Sequence, residues 1–320
     1  MMKVIQTENL SKTFRVGFFQ RRVEAVRGLD LAVESGEIFG FLGPNGAGKT
    51  TTIKMLLSLI YPTAGAATLL GRPLGDVRTR SRIGFLPEQP YFYDYLAGRE
   101  FLDFFSRFFG LDAATRRQRV GSLLERVGLA AAGLLPLRKY SKGMIQRLGM
   151  AQALLNDPEL VILDEPMSGL DPRGRKEIRD LILELKKEGK TIFFSTHILP
   201  DVEMICDRVG IIHQGRLKKV GRLDEILSAA VQSVDLQVKG LDPKSLRAIS
   251  AEGGTVLEQG GVALIRVPDE AAAERILELI LQQKKQTGMS VPHLLSLAPH
   301  RETLEEYFLY EIGNQEGVGS

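Results

Sequence analysis

Through most of the chain, apolar residues come in short unbroken runs spaced by longer stretches of mixed character. Glu37–Leu42 (EIFGFL), Glu159–Leu163 (ELVIL) and Thr191–Ser195 (TIFFS) show no alternation, the pattern of strands buried on both faces. Arg82–Leu86 and Arg208–His213 read as further strands. Between these runs Thr51–Leu59, residues 98–135, Tyr140–Ala153 and the amphipathic Arg175–Lys187 read as helices. This alternation predicts an α/β fold with a mainly parallel sheet flanked by helices. Residues 3–10 and 25–33 read as short strands around a basic insertion, Arg15–Arg22, and are expected to form a small antiparallel layer. Ala66–Leu70 reads as another strand. A helical subdomain is expected over about 90–155. There Phe101, Leu102, Phe104, Phe105, Phe108 and Phe109 form a broad apolar face, read as core, with packing against a partner as the competing reading.

Near Gly221 the pattern changes. VDLQV and VALIRV alternate as half-buried strands do, with a glycine turn at Gly253–Gly254 and helices at Pro243–Ala251 and Asp269–Gln283. These elements predict a small α+β domain of ferredoxin-like type. The expected division is a larger α/β domain over 1–222, an accessory domain over 223–312, and a disordered tail, 313–320.

Composition narrows the classes. With 320 residues, 44% of them hydrophobic and 25% charged, the chain can bury a sizeable core. A net charge of +3 is too mild to argue for nucleic acid as a partner, and the clusters Arg15–Arg27 and Lys284–Lys285 read as solvated surface. The single cysteine, Cys206, excludes an internal disulfide or a cysteine metal cluster, and its setting in VEMICDRV suggests a buried thiol. The opening MMKVIQTENL lacks an apolar core of signal length, and no window reaches 18 consecutive apolar residues. A cytosolic chain is expected, one able to dock on a membrane protein.

The chemistry begins at GPNGAGKTT, Gly43–Thr51, placed between a buried run and a helix. Strand, glycine-rich loop and helix in that order are the context a phosphate-binding loop requires. Backbone N–H groups of such a loop point at phosphate oxygens, and the helix start adds its positive end. Lys49 is then placed for the β- and γ-phosphates and the Thr50 hydroxyl for Mg²⁺. Asp164, closing ELVIL, can hold Mg²⁺ through water, and Glu165 is placed to polarise an attacking water. Phe14 is a candidate ring for stacking on the base, with a core role as the competing reading. GTPase base-reading motifs such as NKxD are absent from the sequence.

Three further motifs accompany these: YSKGMIQRL, SGLD (Ser168–Asp171) and STH (Ser195–His197). Over about residues 3–220 the sequence resembles the nucleotide-binding subunits of ABC transporters. ENLSKTF, IGFLPE and ETLEEYFL add a likeness to bacterial exporters whose membrane subunit is a separate chain. The resemblance implies a P-loop NTPase of the ABC type, using ATP and Mg²⁺. It also implies a homodimer that sandwiches two nucleotides, bound to separate integral membrane permease subunits at the inner face of the cell membrane.

Residue by residue, the resemblance gives Gly43, Pro44, Asn45, Gly46, Ala47, Gly48, Lys49, Thr50 and Thr51 to the phosphates. Thr50 and Asp164 go to the metal, and Glu165 and His197 to catalysis. Ser141, Lys142 and Gly143 would reach the nucleotide of the other subunit, and Asp171 would communicate between the two sites. Two departures stand out. The family's common LSGGQ reads YSKGM here, with Lys142 for a glycine and Met144 for a glutamine. At the glutamine loop the strand alignment puts Glu88 in the usual position and Gln89 one residue later, so both are carried as candidates for the metal. The C-terminal stretch Glu302–Tyr310 is expected to be helical.

A soluble ABC-type ATPase acting on ribosomes or nucleic acid is the competing class. Translation-associated members carry two nucleotide domains, and DNA-repair members separate the phosphate loop from the signature by hundreds of residues. This chain has one domain and a gap of about 90. A silent ATP-sensing scaffold is disfavoured because Lys49, Asp164, Glu165 and His197 are all present.

Overall fold

The computed structural model describes residues 2–18, 20–227, 233–251, 253–286, 292–300 and 304. They divide into two units, Met1–Leu223 and Asp224–Ser320. The first begins β1 (Lys3–Val16), β2 (Arg21–Glu34), β3 (Ile38–Leu42), α1 (Lys49–Leu56), β4 (Ala64–Leu69), β5 (Arg72–Pro73), α2 (Val77–Arg80) and β6 (Ile83–Leu86). A helical region follows, with α3 (Gly98–Ser106), a 3₁₀ turn at Arg107–Phe109, α4 (Ala113–Arg126) and α5 (Lys142–Ala153). Then come β7 (Leu160–Asp164), α6 (Pro172–Lys187), β8 (Thr191–Thr196), α7 (Leu199–Ile205), β9 (Arg208–His213) and β10 (Arg216–Arg222); α8 (Leu223–Leu227) starts at the boundary, and all but its first residue belongs to the second unit.

Two sheets build this unit. The larger has the order β10-β9-β3-β8-β7-β6 and is parallel except for β10, which returns from β9 in an antiparallel hairpin. Every residue of β3, β7 and β8 is buried, as their unbroken apolar runs require. Phe39 stacks on Phe193 at 5.8 Å between ring centroids, and Phe41 meets Phe193 at 5.4 Å. Each such buried ring contributes roughly 1.5–3 kcal/mol by leaving water. Gly40 lies where a Cβ would stand 2.8 Å from Cys206 Sγ, so the thiol packs directly on β3. Burial pushes that thiol well above its ordinary pKa.

The smaller sheet is antiparallel, β2-β1-β4-β5. Its first two strands are each 14 residues, longer than the sequence pattern suggests, because the basic insertion is itself paired: Arg15 lies opposite Arg22. The helical region corrects a second expectation. Phe101 and Leu102 are fully buried, but Phe104 and Phe108 are 42% and 70% exposed and Phe109 is also exposed. These rings pack chiefly on one another, Phe104 on Phe105 at 5.3 Å and on Phe108 at 5.6 Å. Periodicity identifies an apolar face without saying that anything covers it.

In the second unit β11 (Ser233–Lys239), α9 (Pro243–Ala251), β12 (Thr255–Gln259), β13 (Val262–Val267), α10 (Glu270–Gln286) and β14 (His293–His300) form an antiparallel sheet of order β12-β13-β11-β14. This is the split βαββαβ arrangement of ferredoxin-like domains. Its core joins Val234, Leu236 and Val238 to Ile265, Ile249 and Ile276. β12 and β14 were not picked out by pattern. β12 is too exposed to alternate cleanly, and β14 (HLLSLAPH) carries exposed leucines. Asp269 caps α10 by accepting the Ala272 N–H at 2.6 Å. The expected tail and most of the helix at Glu302–Tyr310 lie outside the described residues; Leu304 is helical and buried. Among the described residues no helix is long and apolar enough to cross a membrane.

Candidate functional site

The parallel register decides which loops meet. Leu42 lies beside Thr196, and Asp164 beside Ser195, so β3, β7 and β8 end at one edge of the sheet. The segments that leave there are the glycine-rich loop, the Asp164–Glu165 pair and the Thr196–His197 turn. Crevices at the carboxyl ends of parallel strands are where open α/β sheets bind ligands.

The loop is shaped by its glycines. A Cβ at Gly43 would stand 2.4 Å from the Ile212 carbonyl oxygen, and one at Gly48 2.5 Å from that of Ala25. Gly46 and Gly48 also hold φ of +79° and +110°, which favour glycine. α1 then starts at Lys49 with no side chain capping it, which leaves its first N–H groups facing the cleft. Lys49 is buried, and its Nζ donates to Gly43 O at 2.7 Å and Pro44 O at 3.2 Å. It also lies 3.1 Å from Glu165 Oε1, an ion-pair distance without hydrogen-bond alignment.

Glu165 is buried and held at a φ of +49°. His197 Nδ1 is 2.9 Å from its other oxygen, Oε2. The left-handed backbone at a non-glycine residue costs of order 1 kcal/mol or more and aims this carboxylate into the cleft, between lysine and histidine. Asp164 accepts from Thr50 Oγ1 at 3.2 Å and from Ser195 Oγ at 2.6 Å. Ser195 Oγ in turn accepts the Glu165 N–H at 3.0 Å. In the sequence Ser195 stands within STH with no role of its own. Its signal was a small polar residue inside the apolar run TIFFS, with no local partner to explain it.

Together these residues outline a cleft of about 310 Å³, lined by Asn45, Gly46, Gly48, Lys49, Thr50, Thr51, Glu88, Glu165, Ser168 and His197, with Ala25 from β2. Ala25, and Ser168 of the SGLD motif, join the lining without having been candidates for it. Of the glutamine-loop pair, Glu88 lines the cleft and the exposed Gln89 does not. Phe14 is half-buried, carries the Lys12 ammonium 5.2 Å from its ring centre, and is not part of the lining. Ser141, Lys142 and Gly143 lie apart from the cleft, at the start of α5, where Ser141 Oγ accepts the Met144 N–H at 3.3 Å. The Lys142 ammonium packs on Gly169, in the SGLD turn. Asp171 is also outside the cleft and caps α6, accepting the Gly174 N–H at 3.0 Å. A larger recess of about 520 Å³ lies elsewhere, lined by Leu56, Leu57, Leu69, Leu74, Ile83 and Phe85 together with polar residues such as Asp76 and Arg80.

The cradle fits a nucleoside triphosphate. Glycine backbone and an uncapped helix start face the space where phosphates would lie, with a buried lysine beside them. The comparisons agree. The ABC transporter family profile matches residues 26–168. An uncharacterized ABC transporter ATP-binding protein of Nostoc sp. is 43% identical over 318 residues, covering 98% of this chain and 91% of that one. The bacitracin transport ATP-binding protein BcrA of Bacillus licheniformis is 44% identical over 320 residues, 98% of each chain. Among solved structures, a bacterial ABC transporter cassette determined as a dimer superposes with a TM-score of 0.63 at 25% identity, covering 68% of this chain and 98% of the other. The chain belongs to the ABC transporter ATP-binding proteins, with the P-loop NTPase fold of that family.

Proposed function

We propose that this protein is the ATP-hydrolysing subunit of an export system and works as a head-to-tail pair on separate integral membrane permease subunits at the cytoplasmic face of the membrane. The observation that carries the ATPase reading is Glu165, held between Lys49 and His197 beside the phosphate loop. Glu165 serves as general base toward water, and His197 fixes its carboxylate and contacts the terminal phosphate. Lys49 and the N–H groups of residues 43–51 bind the phosphates, while Phe14 supplies a stacking face for the base. Thr50, Asp164 and Glu88 are the residues that would hold Mg²⁺, with Gln89 as the alternative to Glu88. Bound there, the ion neutralises phosphate charge.

In this reading Ser141, Lys142 and Gly143 complete the site of the partner subunit, which explains why they lie outside the cleft of their own chain. Asp171 and the SGLD turn sit between the two sites. Loss of the terminal phosphate removes the contacts that favour the closed pair, and a ligand shifts an equilibrium only through such differential contacts. The 1–222 portion is the motor and 223–312 an accessory domain. The relative named for bacitracin transport and the cassette solved as a dimer support this reading.

The test is a detergent pulldown of tagged Glu165→Gln protein with ATP and Mg²⁺. Co-purification of a multi-span membrane protein is the expected result. Recovery of ribosomes or nucleic acid, or of a soluble homodimer alone, would move the assignment to a non-transport ATPase.

A further inference from the structure

Strands β1 and β2 run on past the sheet that anchors them. β4 accompanies β1 only as far as Ser11, opposite Ala64; past it Thr63 Oγ1 bonds the Thr13 backbone, accepting its N–H at 3.0 Å, and the Lys12 ammonium donates to Tyr61 O at 2.6 Å. Beyond that point β1 has β2 alone as its partner, up to a turn closed by the Gln20 N–H on Gly17 O at 3.1 Å. A lone two-stranded ribbon is marginal in water.

The side chains on this ribbon weaken it further. Arg15 lies directly opposite Arg22, and Val16 opposite Arg21. Like charges facing each other across an antiparallel pair are destabilising. From Arg15 to Val23 the sequence, RVGFFQRRV, holds three arginines and no acidic residue. Glu24, the next carboxylate, is engaged by Arg27 at 3.2 Å. At the apex Phe18 is 96% exposed, and Val16 and Val23 are 54% and 44% exposed.

A solvated charged loop gains nothing from an apolar apex. An apolar apex ringed by guanidinium groups matches a bilayer surface, where rings and aliphatic side chains enter the headgroup boundary and arginines meet anionic phosphates. We propose that the tip of the β1–β2 ribbon, with Arg15, Val16, Phe18, Arg21, Arg22 and Val23, binds anionic lipid headgroups. This chain then touches the membrane directly, in addition to any permease it serves. The Arg15–Arg22 register, unfavourable in water, directs two guanidinium groups at one anionic layer, which relieves their repulsion.

The experiment is vesicle flotation with the full chain and no nucleotide, using phosphatidylcholine vesicles with and without phosphatidylglycerol. The protein is expected to float with the anionic vesicles and to be released by high salt, since attraction to a charged surface is screened within a Debye length. Replacing Arg15, Arg21 and Arg22 together by Gln should weaken binding about a hundredfold, at roughly fivefold per arginine. Phe18→Ser should weaken it about tenfold. Thermal midpoint and ATP turnover are the controls for folding, because none of these residues lines the nucleotide cleft. No preference for anionic vesicles, or equal flotation of the triple variant, overturns the proposal. Neither outcome touches the ATPase reading, which the turnover assay reports separately.

Discussion

Ser195, on β8, donates its hydroxyl to Asp164 Oδ1 across 2.6 Å and accepts the Glu165 N–H on the same oxygen at 3.0 Å. One buried hydroxyl thus sets the carboxylate proposed for the metal and the backbone of the proposed base. Ser195→Ala removes both bonds. Hydrogen bonds to charged groups are worth about 1.5–3 kcal/mol, so turnover is expected to fall roughly tenfold or more. The Mg²⁺ concentration for half-maximal rate should rise, while metal-free nucleotide binding stays unchanged. Phosphate release measured across a Mg²⁺ series checks this; an unchanged metal requirement would make Ser195 merely structural.

Glu165→Gln keeps the shape of the side chain and discards its basicity. Turnover should drop by about 10²–10⁴, the usual span of a general base. ATP-bound protein should then accumulate as a dimer on size-exclusion chromatography. Hydrolysis at the unmodified rate would remove Glu165 from the role of base.

The loop glycines should differ in what they tolerate. An alanine methyl at Gly43 collides with the Ile212 backbone, so Gly43→Ala is expected to abolish nucleotide binding. At Gly46 a Cβ has open space and faces only the left-handed backbone penalty, roughly 1–2 kcal/mol. Gly46→Ala should therefore lower the melting temperature and weaken nucleotide binding without abolishing it. Titration with a fluorescent ATP analogue distinguishes the two, and equal loss in both variants would argue against the steric account.

Asp103 ties α3 to α4. Its carboxylate accepts from Arg107 at 2.9 Å and from Arg116 at 3.4 Å, and these guanidinium groups, Arg107 first, hold its pKa below the ordinary value. A carboxyl whose folded pKa is depressed stabilises the fold above its unfolded pKa, and that contribution fades as pH falls through the folded one. Asp103→Asn should cost up to about 1 kcal/mol at neutral pH, as for partly exposed ion pairs. The gap to the unmodified protein should close below about pH 4. Urea unfolding at several pH values gives the comparison; a gap independent of pH would assign the effect to packing.

Much of this architecture is written locally. β3, β7 and β8 announce themselves because a strand buried on both faces must be apolar at every position. The phosphate loop is legible because its chemistry is contiguous: glycines, lysine and threonine act within nine residues of one another. The split βαββαβ unit shows through two of its strands and both helices. Pattern failed where the deciding neighbour is far away in sequence. Phe101 and Phe108 look alike on a helical face, yet one is buried and the other open. The basic insertion Arg15–Arg22 gives no sign in its charges that it is a paired ribbon, and the contacts of Ser195 are not legible because its partners lie 30 and 31 residues away.

The sequence by itself determined the buried strands, most of the helices, the phosphate loop and the family, since each rests on periodicity or on adjacent residues. Only the tertiary structure decided which strand ends meet. Parallel register brings Asp164 alongside Ser195 and Leu42 alongside Thr196. That alignment places Glu165 between Lys49 and His197, two contacts that depend on hydrogen bonding between strands distant in the chain.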